Sequence, residues 1–331
     1  MKLNRVQESS LLLIQSDARF LYTLTEIFFK ANKVRTNFIT MSLPYIGIFV
    51  DGAAKWSEKI GIPGPCLTEK EKCYYTYLRN GHKISNCNFV EFQNRLKVKF
   101  EDSEIYFYSN RSLIEKIIGH FNVGTDLYNG HFCGNTILCA MYLPFPIEHF
   151  DNKGSWIRDV SIVAGELAAY FGCKDFPPYK YRKEEIAFHK DYHFFRKSPL
   201  RHSSFDHFCL FSILCSINFV TKFIEYYLVD EVMQKFKFAY LQYYYLCDLI
   251  KSIREHCNCS FEMDSSLYSR PFRNCLAHYG LGQYMLEEDI VPDDPLKGLT
   301  IKAFGTNYLS TKVFLYDCLN GFVEQIASVI F

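Results

Sequence analysis

The apolar positions of this chain recur mostly at spacings of three and four, the period of a helix that buries one face. Leu11 to Lys30 carries that pattern, and Phe38 to Lys59 repeats it in spite of Pro44. The run Gly61-Ile62-Pro63-Gly64-Pro65 then breaks it. Between Asn88 and Ser109 the period changes to two. Leu96, Val98 and Phe100 alternate with Lys97 and Lys99, Glu101-Asp102-Ser103 supplies a turn, and Ile105 and Phe107 alternate with Tyr106 and Tyr108. That alternation predicts a small β-hairpin near 94–108. Helical spacing resumes at Ser112 to Phe121 and at Ser155 to Phe171, the latter stopped by Gly172. Two long helices follow, Phe205 to Leu228 and Asp230 to Cys257. A short helix begins at Pro271, whose fixed φ suits a first turn, and ends near Gly280 and Gly282. An irregular loop, Glu287 to Gly298, leads to a last helix from Asn307 to Ile330.

The fold class expected is therefore mainly α, with one small β-hairpin in the N-terminal half. Composition suggests three stretches. Residues 1–173 form a mostly helical region of unassigned role, and 203–331 form a C-terminal helical bundle. The connector, 174–202, carries eight Lys or Arg against four Asp or Glu, with aromatics interleaved. Its basic side chains Lys180, Arg182, Lys183, Lys190, Arg196, Lys197 and Arg201 are candidates for contacting a phosphate backbone, with nearby rings for base stacking. The competing reading is a solvated connector whose rings plug into the core.

Bulk composition narrows the field. With 49% hydrophobic residues in 331, the chain can bury a core. A formal charge of +1 creates no global attraction for nucleic acid, so any such role must rest on a local patch. The thirteen cysteines are odd in number and sit mostly in apolar runs, which predicts free thiols in a reducing cytoplasm. No secretory leader is expected at the N-terminus, and the apolar run Phe208 to Val220 is too short to span a bilayer.

One segment carries a chemical signal: Phe272-Arg273-Asn274-Cys275-Leu276-Ala277-His278-Tyr279. On a helix Asn274 and His278 lie one turn apart on a shared face, with Arg273 beside it. An imidazole can take and give a proton near neutral pH. A guanidinium offers a permanent forked cation to phosphate oxygens that gather charge in a transition state. RNA brings its own 2′-hydroxyl nucleophile, so this chemistry calls for no metal and no cofactor.

The pattern Arg-Asn-x-x-x-His, opening a short helix after two long ones, resembles the HEPN superfamily over about the last 130 residues. The resemblance implies a helical bundle, a homodimer, and metal-independent endoribonuclease activity of the kind used in toxin–antitoxin, phage-defence or RNA-processing systems. It implies RNA as substrate, an antitoxin or regulatory protein as partner, and Arg273, Asn274 and His278 as catalytic residues. Arg273 and His278 point about 140° apart on one helix, which suits a cleft shared by two subunits. The alternative is a non-catalytic module of the same type that binds RNA, nucleotide or protein; a third reading makes the motif incidental to a structural protein. Weaker signals are His189 with His193 at helical spacing and Cys257 with Cys259 near His256. The His pair has the spacing of metal ligands on one helix face but no Glu beside His189 and no evident third ligand, and Cys-x-Cys is not a usual zinc knuckle.

Overall fold

Helical periodicity governs most of the chain, including places where a shorter window suggests otherwise. The computed structural model describes residues 2–30, 37–109, 111–118, 123–143, 153–172, 175–182, 188–192, 198–202 and 204–331. Its first half holds α1 (Arg5–Lys30), α2 (Phe38–Ile60), α3 (Glu69–Asn80), α4 (Phe89–Ser109) and α5 (Leu113–Ile118). Next come β1 (Val123–Tyr128), β2 (His131–Asn135), α6 (Thr136–Met141), α7 (Lys153–Tyr170) and β3 (Phe188–Tyr192). The second half holds α8 (Phe205–Asn218), which runs through a π-helical stretch, Phe219–Ile224, into α9 (Glu225–Tyr227). It ends with α10 (Met233–Cys257), α11 (Arg270–His278), α12 (Pro295–Phe304) and α13 (Tyr308–Ile330).

The mainly α fold class holds, with a small antiparallel sheet, but the hairpin lies elsewhere than the alternation near 94–108 predicts. That segment is inside α4. Phe89, Phe92, Leu96, Phe100 and Ser103 are buried at spacings of three and four, while Val98 and Ile105 face solvent. The Asn88 side chain accepts from the Glu91 amide at 2.9 Å and caps the helix. Lys97 also pairs with Glu101 one turn on. The true turn is Asn129-Gly130, with φ of 48° and 78°, which joins β1 to β2. Two successive positive φ values are what a tight two-residue hairpin needs, and Asn-Gly supplies them at little cost.

The described parts of the connector are tied into the fold. β3 pairs antiparallel with β1, with Lys190 opposite Thr125, so the sheet order is β2-β1-β3. Tyr179 is buried beneath the Arg19 guanidinium, accepts or donates a hydrogen bond with Ser16 at 2.9 Å, and its amide donates to Thr23. Tyr181 bridges to Leu228. Two helix starts are marked by capping residues and not by apolar periodicity. Thr68 and Glu71 form a reciprocal capping box that opens α3. Asp294, which accepts from the Lys297 amide, opens α12 with Pro295 behind it, inside the stretch expected as loop.

One aromatic-rich core joins both halves. Tyr45 of α2 stacks on Phe238 of α10 with ring centroids 3.7 Å apart, and Tyr240 of α10 packs on Phe272 of α11 at 4.5 Å. The chain therefore does not divide into separate cores at 174–202. Two helical stretches, Phe205–Tyr227 and Tyr308–Ile330, are long and apolar enough to cross a membrane, and 83% of the most apolar window of the first is buried in the protein, against 33% for the second. The first is thus longer than the apolar run from Phe208 to Val220, because the helix continues through the π stretch. Leu309, Val313 and Phe314 of α13 are exposed.

Gly47 sets how closely α3 approaches α2. A Cβ at this position would stand 2.3 Å from the Arg79 amide nitrogen and 2.6 Å from the Leu78 carbonyl carbon, both backbone atoms that cannot swing away. Gly47→Ala is therefore expected to destabilise the protein by about 1–3 kcal/mol, the usual scale for forced overpacking. Gly165→Ala, in α7 with open space around its Cβ, should be neutral or stabilising by up to ~1 kcal/mol. Urea unfolding midpoints compare the two; equal midpoints would contradict the close helix contact.

Candidate functional site

The motif helix α11 opens on Ser269, whose side chain accepts from the Phe272 amide, with Pro271 in the first turn. It ends on Tyr279, which takes a left-handed φ of 53° immediately after His278. That unusual backbone is held from the side-chain end. The Tyr279 hydroxyl, fully buried, donates to Asp17 of α1, and Asp17 also pairs with the buried Lys237 of α10. Gln234 adds a hydrogen bond to Asp17 at 2.7 Å. Burial lowers the Lys237 pKa, and the Asp17 carboxylate opposes that. Gly52 of α2 makes room for the Tyr279 ring, which would lie 2.7 Å from a Cβ there.

This anchoring leaves Phe272, Cys275, Leu276 and Ala277 in the core, His278 exposed, and Arg273 and Asn274 half-buried. The Arg273 guanidinium lies over the rings of Tyr244 and Tyr245 of α10, 5.1 and 5.7 Å from their centroids. Its Nε is buried and has no hydrogen-bond partner among the described residues. His278 meets a residue from the other half of the chain. Arg79 Nη2, at the end of α3, lies 2.8 Å from His278 Nε2 and also contacts Nδ1. Arg79 itself is buried and paired through Nη1 with Asp51 of α2. Asp51 further accepts from Lys55, with a closest approach of 2.7 Å, and from Thr76 at 3.0 Å. Burial alone would push the Asp51 carboxyl up, but its bonds to Lys55 and Arg79 outweigh that and hold it below the usual range.

The turn after α3 adds two more groups. His82 is buried, its Nδ1 bonds to the Arg79 carbonyl, and its ring stands edge-on to Tyr245 at 5.6 Å. Burial, chiefly, holds His82 well below the ordinary histidine pKa. Lys83 follows it, and partial burial together with the charges of Arg79 and Arg273 pulls its pKa down. His278 feels the same surroundings. Loss of hydration against the protein, then repulsion from Arg79, Arg273 and Lys83, lowers its pKa to about 4, with Asp51 opposing. The imidazole is therefore neutral at pH 7, and a guanidinium, which can only donate, meets its lone pair.

Among the described residues the site thus gathers four cations, Lys55, Arg79, Lys83 and Arg273, around one carboxylate, Asp51, and two neutral imidazoles, the buried His82 and the exposed His278. Arg273 and His278 are the expected residues that the fold brings into this group. Asn274 stands beside them, with no side-chain hydrogen bond among the described residues. Of the basic connector, the described residues Lys180, Arg182 and Arg201 make their contacts elsewhere. Lys180 donates its amide to Asp230, Arg182 donates its Nε to the Tyr226 carbonyl at 2.8 Å, and the Arg201 amide bonds to the Ile330 carbonyl. Lys190 has its backbone on β3, while Lys183, Arg196 and Lys197 lie outside the described residues, as does His193. Among the described residues no three His, Cys, Asp or Glu side chains converge as metal ligands do, and the described cysteines are free thiols. Arg79, Asp51 and Lys83 escaped sequence reasoning, though the capping box that opens α3 was legible and points to the helix that carries Arg79.

The His278 pKa should read about 4 in a histidine NMR titration, and Arg79→Gln should raise it toward the ordinary value near 6.5 by removing the nearest cation and its donated bond. A wild-type value of 6 or above would remove the proposed contact. Comparison with protein-family models, with curated proteins and with solved structures finds no match for the chain, so what this cluster does is a question for its own geometry.

Proposed function

We propose that the protein is a metal-independent endoribonuclease of HEPN type, with His278 as the proton-transfer group and Arg273 as the phosphate-binding cation. The observation that carries this reading is an Arg273 guanidinium with no carboxylate partner among the described residues, placed within electrostatic reach of a neutral imidazole at the protein surface. In the reaction, His278 takes the proton of a ribose 2′-hydroxyl as that oxygen attacks the adjacent phosphorus. The bond from phosphorus to the 5′-oxygen breaks, a 2′,3′-cyclic phosphate forms, and the leaving oxygen receives the proton from the imidazolium. A pKa near 4 makes His278 a weak base but its protonated form a strong acid, so the second transfer is the easier one. Arg273 offers its unused N–H groups to the non-bridging oxygens, where charge accumulates. Asn274, on the same helix face as His278, is the orienting amide. A second copy of the chain supplies the partner subunit, and an antitoxin or regulatory protein would cover the same surface.

A second reading has its own support. The Arg79 hydrogen bond occupies the imidazole lone pair that a base requires, which favours a module that binds RNA or nucleotide phosphate without cutting. Incubation of the full chain with labelled RNA in EDTA separates the two. Cleavage with cyclic-phosphate ends is expected, falling by at least ~100-fold in His278→Ala and in Arg273→Ala. Retention of RNA without any cut product would favour the second reading and refute the first. Sedimentation at micromolar concentration tests self-association, for which a dimer is the expected species.

A further inference from the structure

We propose that Arg79, Lys83 and Arg273 form a seat for one phosphate-class anion against His278, and that the seated anion draws Arg79 off the imidazole. The idea shares its location with the proposed nuclease and deepens that reading, but it stands on charge and geometry alone.

Three arrangements point to the seat. First, cations outnumber carboxylates here. Asp51 is shared between Lys55, Arg79 and the Thr76 hydroxyl, so one negative charge serves several positive ones. Second, donors are left over. Nη1 of Arg79 is committed to Asp51, but Nη2 has only the imidazole, and Nε of both Arg79 and Arg273 has no partner among the described residues. Arg79 is only 4% exposed, so its unused donors are aimed from a buried position. Third, the cations are fixed before any ligand arrives. Asp51 holds Arg79, the Tyr244 and Tyr245 rings hold Arg273, and His82 ties the Arg79 carbonyl and Tyr245 to the turn that carries Lys83. A tetrahedral oxyanion is the ligand that satisfies several convergent, preorganised N–H donors. A phosphate oxygen is also a far better acceptor for Nη2 than a neutral imidazole nitrogen.

Loss of the Arg79 bond frees the His278 lone pair, and the anion's charge offsets Arg79, Lys83 and Arg273. Asp51 and Lys55 on α2, His82 on the turn and Tyr244 and Tyr245 on α10 also face the site: Asp51 favours a protonated His278 but repels the anion, Lys55 does the reverse, and the two offset each other as an ion pair. Protonation of His278 thus becomes easier when the seat is filled. By linkage, His278 favours proton uptake when the anion is seated, and for an oxyanion of fixed charge the affinity rises as pH falls through the raised His278 pKa.

Inorganic phosphate titrated into the full chain at constant ionic strength is the probe, read from the His278 ring signals in histidine-labelled protein. Saturable shifts are expected, with a higher His278 pKa at saturation than in chloride. Lys83→Gln should weaken the phosphate affinity about tenfold, the loss of one charge-assisted contact, without disturbing the fold, since Lys83 is partly exposed and holds no ion pair among those described. Arg79→Lys, which keeps the charge beside Asp51 but loses the fork, should leave only the smaller pKa rise that the anion's own charge produces. No saturable response, or an unchanged affinity in Lys83→Gln, overturns the seat even if RNA is cut. A response that depends on Lys83 supports the seat even if RNA is left intact.

Discussion

The architecture turns on a buried charge. Lys237 sits in the interior of α10, and burying an ammonium is expensive unless its partner is fixed in place. Asp17 of α1 provides that partner, and Tyr279 shares the same carboxylate. Because Tyr279 is also the left-handed residue that ends α11, the pair does more than neutralise a lysine. It joins the first helix, the central helix and the end of the motif helix at one point. His278 is the neighbouring residue, so its backbone direction follows from a contact in the deep core.

A second ion pair repeats the logic nearer the surface. Asp51 and Arg79 are both buried and lie on adjacent helices that only glycine at position 47 allows to touch closely. Where the Lys237 pair is closed on itself with Gln234 and Tyr279, the Arg79 pair leaves one guanidinium nitrogen facing His278. The first is a structural tie and the second an open one. That difference, in which donors remain unspent, separates a core network from a site that can act on something else.

Much of this was legible in the chain. The long helices follow from spacing, and the motif helix from Pro271 and the break after it. Two misreadings have clear physical causes. In α4 a few residues of alternation look like a strand, but the buried set Phe89, Phe92, Leu96 and Phe100 shows its period only over three turns. In β1 and β2 the reverse happened. The strands are short and carry Gly124, Asp126 and Gly134, so no alternation stands out, and the informative residues were the Asn129-Gly130 turn. For the site, Arg273 and His278 announce themselves as a motif. Arg79 could not, since nothing local marks an arginine that meets a histidine 199 positions away. Only the packing of α3 on α2, and of α11 on α2, brings them together.

That span along the chain bears on synthesis. The guanidinium–imidazole contact closes a loop of 199 residues, and such closures come late, after local helices have formed and lost most of their freedom. A ribosome that has released residues 1–250 has made Asp51, Arg79 and His82 but not His278. Whatever chemistry the cluster performs is withheld from the nascent chain until the segment that forms α11 has emerged.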